Sequence, residues 1–329
     1  MDAFELTRRL MAIPSVSGSE SAVGEFLATH LSGRGYQVER LPVTGDRFNL
    51  LAVAGEPEIV FCTHIDTVPS VLPIREDDGH LYGRGACDAK GILAAMLHAG
   101  DRLRNAGITR FAYLLLVGEE VDGIGARAAN ERSWNNRYVI VGEPTQNHLA
   151  KAQKGTLLAN LTVHGRAAHS GYPEAGVSAI HGLLEVLRDC LQCDWGKDPD
   201  LGHGTLNVGV LEGGEKANII AARARASVMI RTVEPRKAVE QRLRDCVMGR
   251  AAVEVLVGTS PQFMHVVEGF PTTVVSFGSD VPYLTKLGRP LLVGPGSILD
   301  AHTDAEKISK NELMAGAELY YTLARRLLS

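Results

Sequence analysis

Four apolar runs in this 329-residue chain end on acidic or imidazole side chains, and that repeated ending constrains the fold more than any other feature. Ile59-Val60-Phe61-Cys62 is followed by His64 and Asp66, FAYLLLV (111–117) by Glu119 and Glu120, and RYVIVG (137–142) by Glu143. A late run, RPLLVGPGS (289–297), leads through ILDAH to His302. Runs that are apolar throughout, rather than alternating, fill the middle of a parallel sheet covered on both faces. Between two of them, AKGILAAMLHAGDRLRNAG (89–107) repeats apolar residues at helical spacing and stops at glycine. Strand, helix, strand in that order implies right-handed crossovers and an α/β fold, a mixed and mostly parallel sheet flanked by helices. Ligands of such open sheets gather outside the carboxyl ends of the strands, so the four endings are expected to meet at one rim. GRGACDAKG (83–91) adds Asp88, directly before the helix.

The rhythm changes near residue 150. TLLANLTVHG (156–165) alternates like a half-exposed strand, and a helix is expected over 174–192. Strand runs at 204–214 and 220–232, a helix over about 235–248 and a strand at 251–258 complete a β-α-β-β-α-β set with an antiparallel centre. TVVSFGSDVPYL, the late apolar run and a final helix over about 306–328 then return to the earlier style. A chain of this length exceeds what one core usually organises. The simplest architecture is an α/β domain formed by 1–147 and 266–329, interrupted by an inserted α+β sandwich domain at 148–265.

Composition narrows the partners. A formal net charge of −4 gives no reason to expect nucleic acid or an anionic membrane. No apolar run is long enough to span a bilayer, and MDAFELTRRL reads as an amphipathic helix start rather than a signal peptide. Five scattered cysteines, an odd number, suit reduced thiols and a cytoplasmic protein. Cys190 and Cys193 form a C-x-x-C within a helical pattern and are read as structural.

Taken singly, each rim residue has a plain explanation: Asp88 as a helix cap, Glu119-Glu120 as a solvated turn. Together they crowd several carboxylates into one place, which is costly unless cations neutralise them. Imidazole mixed with carboxylate suits zinc or a neighbouring first-row metal better than magnesium or calcium. In an extended chain residues two apart point the same way, so Asp66 is expected to orient the His64 ring while that ring binds metal.

Seven segments in order resemble the acetylornithine deacetylase/succinyl-diaminopimelate desuccinylase family of co-catalytic zinc hydrolases, which also holds glutamate carboxypeptidase-like and dipeptidase members. They are THIDTVP, GRGACDAKGILAA, LLVGEEVDGIGA, VGEPT, GRAAHSGYPEAGVSAI, GGEKANIIAARARASVMIR and VGPGSILDAHTDAEKI, and they span nearly the whole chain. The resemblance implies two zinc ions per subunit, with cobalt or manganese as alternatives. It places His64 on one ion and His302 on the other, with Asp88 bridging, Glu143 completing the first site and Glu120 the second. Glu119 is implied as the general base, and the Asp88–Ala89 peptide bond is implied to be cis. His169, in GRAAHSGYP, is implied to reach the active site of the other subunit in a homodimer formed through the inserted lid domain. Arg231 is implied to pair with a substrate carboxylate, for which a guanidinium fork is suited, with Asn218 assisting.

The activity implied is hydrolysis of the amide bond of a small N-acyl amino acid, in the manner of the acetylornithine deacetylase branch and of arginine biosynthesis. Metals sharing a water lower its pKa, and Glu119 moves the proton. Alternatives are a dipeptidase or carboxypeptidase of the same fold, or a catalytically silent dimeric binding protein. The GPGS turn at 294–297 is expected to offer backbone donors near the site. Lys154 and Arg225 are read as structural. The chain is shorter than most such relatives, and GSDVP (278–282) stands where acetylornithine deacetylases tend to carry a Thr-Glu pair. Asp280 is there either a stand-in for that pair or a surface turn residue.

Overall fold

The computed structural model describes every residue from Met1 to Ser329. The chain forms two compact units. The first comprises Met1–Lys151, Met264–Thr273 and Ser279–Ser329, and the second comprises Ala152–Phe263 and Val274–Gly278. The return to the second unit at Val274–Gly278 has no counterpart in the sequence rhythm, which suggests one unbroken insertion.

In the first unit the chain runs through α1 (Ala3–Met11), α2 (Ser21–Ser32), β1 (Gln37–Thr44), β2 (Arg47–Val53), β3 (Ile59–His64), α3 (Lys90–Asn105), β4 (Phe111–Leu116), α4 (Ile124–Asn130) and β5 (Tyr138–Val141). The second unit contributes β6 (Gly155–His164), α5 (Ala179–Gln192), β7 (Thr205–Gly213), β8 (Arg223–Thr232), α6 (Arg236–Val247) and β9 (Ala252–Thr259). The first unit is completed by β10 (Arg289–Leu292) and α7 (Lys310–Leu328).

The main sheet has the order β1-β2-β4-β3-β5-β10. β3 pairs in parallel with β4 and β5, and β10 pairs in parallel with β5, while β2 runs antiparallel to β1 and β4. The apolar runs are thus the four parallel strands, and every residue of β3 and β4 is buried. Phe61 sits opposite Tyr113 in the register, their rings stacked at 5.7 Å, and Tyr320 of α7 meets Phe61 edge-on at 6.0 Å. The phenol hydroxyls find acceptors in turn: Tyr113 donates to the Met96 carbonyl and Tyr320 to the Val293 carbonyl. Burying one such aromatic stabilises the fold by about 1.5–3 kcal/mol, and the hydroxyl bonds fix how α3 and α7 seat on the sheet.

The second unit's sheet is antiparallel throughout, in the order β7-β8-β6-β9. β8 alternates cleanly: Ala224, Ala226, Val228 and Ile230 face α5 and α6, while Arg223, Arg225 and Arg231 lie on the opposite face. Cys190 is buried in this core, and all five cysteines are free thiols. β7 is an edge strand, largely exposed.

Two helix starts differ from expectation. The helix expected from 174 begins at Ala179, after a short 3-10 turn at Pro173–Ala175, because Gly176 is extended and the Ser178 hydroxyl accepts from the His181 amide. The helix expected from about 306 begins at Lys310, because Lys307–Ser309 pairs as a strand with His80–Tyr82 and Ser309 caps the helix through Glu312.

Candidate metal centre

The four parallel strands end side by side, and each hands on a donor side chain. β3 closes on His64, only 1% exposed, and pairing continues one residue further through the Ile65 amide and the Leu116 carbonyl. β4 turns sharply at Gly118, whose φ of +76° suits glycine. A side chain there would also meet the Arg47 guanidinium at 2.8 Å. Glu119 and Glu120 follow, their amides donating to the buried Asp66 carboxylate at 3.2 and 3.3 Å. After β5, Gly142 packs so tightly on α3 that a Cβ would lie 2.5 Å from Ile92, and Glu143 comes next. After β10, the Gly294 amide donates to the Thr145 hydroxyl, which ties this loop to the one carrying Glu143, and the chain reaches His302 at φ +62°. Asp88 stands just before α3, and the Asp88–Ala89 peptide bond is cis.

These donors converge. Asp88 Oδ1 lies 3.0 Å from His64 Nε2, and Asp88 Oδ2 lies 3.2 Å from His302 Nε2. Glu120 stands 2.9 Å from the same His302 nitrogen. Two triads result, His64–Asp88–Glu143 and Asp88–Glu120–His302, and in each the donor atoms all lie within 4.8 Å of one another. Asp88 belongs to both.

Electrostatically the protein alone is strained toward holding protons. Burial lifts the Glu119 and Glu143 carboxyls well above the usual range, although His64 pulls them down, and their acidic neighbours add to the rise. Burial opposes charge on His64, but Asp66 and Asp88 outweigh it and raise the imidazole well above its ordinary value. Hydrogen bonds to Asp88 and Glu120 raise His302 to about 10. Burial works to raise Asp88, yet the two histidines hold it below the normal carboxylate range. Donor atoms at such spacings, imidazole and carboxylate mixed, fit divalent first-row cations bound at about 2.0–2.2 Å. A cation at the first triad would compete with the proton that burial favours on Glu143, and one at the second with the proton that its carboxylate neighbours favour on His302.

The model of peptidase family M20/M25/M40 matches residues 60–326. The chain belongs to this family. It is therefore an M20-family metallopeptidase-type hydrolase. A peptidase M20 domain-containing protein of Schizosaccharomyces pombe is 35% identical over 328 residues, covering 96% of this chain and 82% of that protein. A probable carboxypeptidase of Aspergillus terreus is 36% identical over 364 residues, covering 96% and 84%. Among solved structures, an M20 family metallo-carboxypeptidase from Sulfolobus solfataricus superposes with a TM-score of 0.81 at 15% identity, covering 99% of each chain. At that identity the likeness speaks for the fold alone.

For an M20-family chain, the other predicted residues fall as follows. In the second unit, His169 and Ile219 form a short antiparallel bridge, and the Ser170 amide donates to the Asn218 carbonyl. His169 and Asn218 are therefore brought together, a few residues before β8 begins. Arg231 lies at the far end of β8, where its Nη1 donates to the Thr156 hydroxyl. Lys154 donates to the His203 carbonyl.

Three expectations need correction. Asp66 was expected to orient His64 through its carboxylate, but His64 Nδ1 is closer to the Asp66 main-chain carbonyl, at 3.0 Å, than to its carboxylate, at 3.6 Å. The GPGS turn was expected to offer backbone donors near the site, but two of its amides, those of Gly294 and Gly296, are taken by Thr145 and Glu312. Asp280 is no surface residue: it is 2% exposed, its Oδ1 has no hydrogen-bond partner, and burial lifts its carboxyl to about 7. Sequence reasoning also passed over Ser17, whose hydroxyl donates to Asp66 at 2.6 Å, and the buried pair of Arg84 and Glu306. Ser17 carries no local signal. Glu306 lay in plain view, four residues after His302.

Proposed function

We propose that this chain is a two-metal amidohydrolase that cleaves the amide bond of a small N-acyl amino acid. The observation that carries this reading is the sharing of Asp88 between two donor triads, each pairing it with one imidazole and one further carboxylate. His64, Asp88 and Glu143 would hold one ion, and Asp88, Glu120 and His302 the other, with zinc the ion best suited to the donors. Divalent cations bound there supply Lewis acidity and make water reactive near neutral pH.

The chain's own residues do the rest. Glu119, next to a donor but in neither triad, accepts a proton from the attacking water on its carboxylate and delivers it to the departing nitrogen. Its raised proton affinity, caused first by burial, suits a group that must hold that proton between the two steps. Asp66 keeps Glu119 and Glu120 in place through their amides. Arg231 engages the substrate carboxylate with a planar fork of donors. His169 donates to the developing oxyanion, and Asn218 assists in holding the substrate. Eight residue steps of extended β8 run from Arg223 to Arg231, roughly 26 Å end to end, so one small substrate cannot touch both ends within a single subunit. This favours a homodimer in which each site combines Arg231 of its own chain with His169 of the partner subunit, and the exposed edge strand β7 suits such pairing.

A second reading is a carboxypeptidase or dipeptidase. Its carboxypeptidase form is favoured by relatives at 35–36% identity that are named probable carboxypeptidases. The test is a panel on metal-loaded protein: N-acetyl and N-succinyl amino acids against dipeptides and longer peptides with free carboxyl termini. Preferred turnover of N-acyl amino acids supports the first reading. Preference for peptides transfers the assignment to the second, and no turnover of either class, with metal bound, overturns both.

A further inference from the structure

Glu306 belongs to neither donor triad, yet its side chain is fully enclosed beside them. Oε2 accepts from Arg84 Nη1 at 2.6 Å, while Oε1 accepts from the amides of Cys87, at 3.2 Å, and Asp88, at 3.3 Å. The same residue's carbonyl accepts from the Gly83 amide at 3.0 Å. Arg84 in turn donates from Nε to the Ser70 carbonyl at 3.2 Å. One carboxylate therefore joins three stretches of chain: the one just past His302, the loop that ends in Asp88, and the one just past Asp66.

Few side chains could take this place. A glutamine has a single acceptor oxygen, and its amide hydrogens would face either the Arg84 guanidinium or the two main-chain N–H groups. An apolar pair of similar volume could fill the space, but it would leave the Cys87 and Asp88 amides without this acceptor. Instead the chain buries a second carboxylate next to Asp88, which repels it, and offsets the charge chiefly with Arg84, whose guanidinium bonds it directly.

We propose that Glu306 is a positioning residue for Asp88. It grips the Asp88 amide so that one carboxylate oxygen stays aimed at His64 and the other at His302, and it locks that loop to the segment carrying His302. The assignment rests on the metal-centre reading above and extends it to a residue that touches no donor atom of either triad.

The test measures cobalt(II) affinity by competition with a chelator, together with the visible absorption of the bound ion and the thermal unfolding of the metal-free protein. Two variants are used. Glu306→Asp keeps the charge but withdraws it from the amides, and Arg84→Met with Glu306→Leu replaces the buried pair by apolar volume. The expected result is cobalt affinity weakened about 10–100-fold with an altered absorption band in both variants, while metal-free Glu306→Asp melts close to the parent. Parent-like affinity in either folded variant overturns the assignment. So does failure of both variants to fold, which would make the pair a fold staple. If the parent itself binds no cobalt, the metal centre falls and Glu306 with it; if the parent binds and the variants match it, only Glu306 is reassigned.

Discussion

His64 turns Nδ1 toward the main-chain carbonyl of Asp66, 3.0 Å away, and so leaves that residue's carboxylate to hold the amides of Glu119 and Glu120. A backbone acceptor fixes the imidazole with Nε2 facing Asp88, and the Asp66 carboxylate, 3.6 Å from Nδ1, adds its charge rather than the nearest contact. Asp66→Asn should therefore keep the metal content of the parent while turnover falls about 10–100-fold, because the anchor of the Glu119 loop is weakened. Metal analysis beside steady-state kinetics checks this. Loss of metal in step with turnover would return the orienting role to the carboxylate.

Glu119→Gln should bind metal as the parent does and lose about 10²–10⁴-fold in turnover, the usual contribution of a positioned general base. A variant that turns over normally removes Glu119 from the proton path.

The shared carboxylate predicts unequal losses. Asp88→Ala should empty both triads, whereas Glu143→Ala should leave Asp88, Glu120 and His302 able to retain an ion. Metal counted per chain after dialysis against buffered free zinc separates the two. Equal losses would mean that the triads do not share Asp88.

Mixing inactive variants tests the composite site. His169→Ala and Arg231→Ala should each be inactive alone. After mixing and subunit exchange they should recover about one quarter of parental activity, because half of the dimers then carry one intact site. No recovery, with exchange verified by mass, would place His169 and Arg231 in separate roles or in one subunit's site.

Gly142 sits where a methyl group would approach Ile92 at 2.5 Å and Met96 at 2.6 Å. Gly142→Ala should cost about 1–3 kcal/mol by overpacking, read from urea unfolding, and should weaken metal binding by displacing Glu143. Full stability would show that α3 yields more easily than its packing implies.

Much of the fold was legible because parallel strands advertise themselves. EIVFCTHI, FAYLLLV and RYVIVG are apolar without alternation, and all three became central strands. The residues now forming the triads were legible for the same reason, since each follows the carboxyl end of such a strand or opens a helix. What escaped was set by single contacts across long sequence distances. Nothing near Ser17 foretells a bond to Asp66, and nothing near Glu306 foretells the amides of Cys87 and Asp88. The early helix starts failed for local reasons: apolar periodicity ran on through Gly176 and through the 307–309 strand, and periodicity does not register a competing strand partner.

The last strand of the main sheet and the loop bearing His302 lie close to the carboxyl terminus, whereas His64 belongs to the first fifth of the chain. The two imidazoles meet on Asp88 only when β10 has paired with β5, so the geometry of the centre doubles as a readout of the main sheet's most non-local pairing, the kind that loop-closure entropy makes slowest to form.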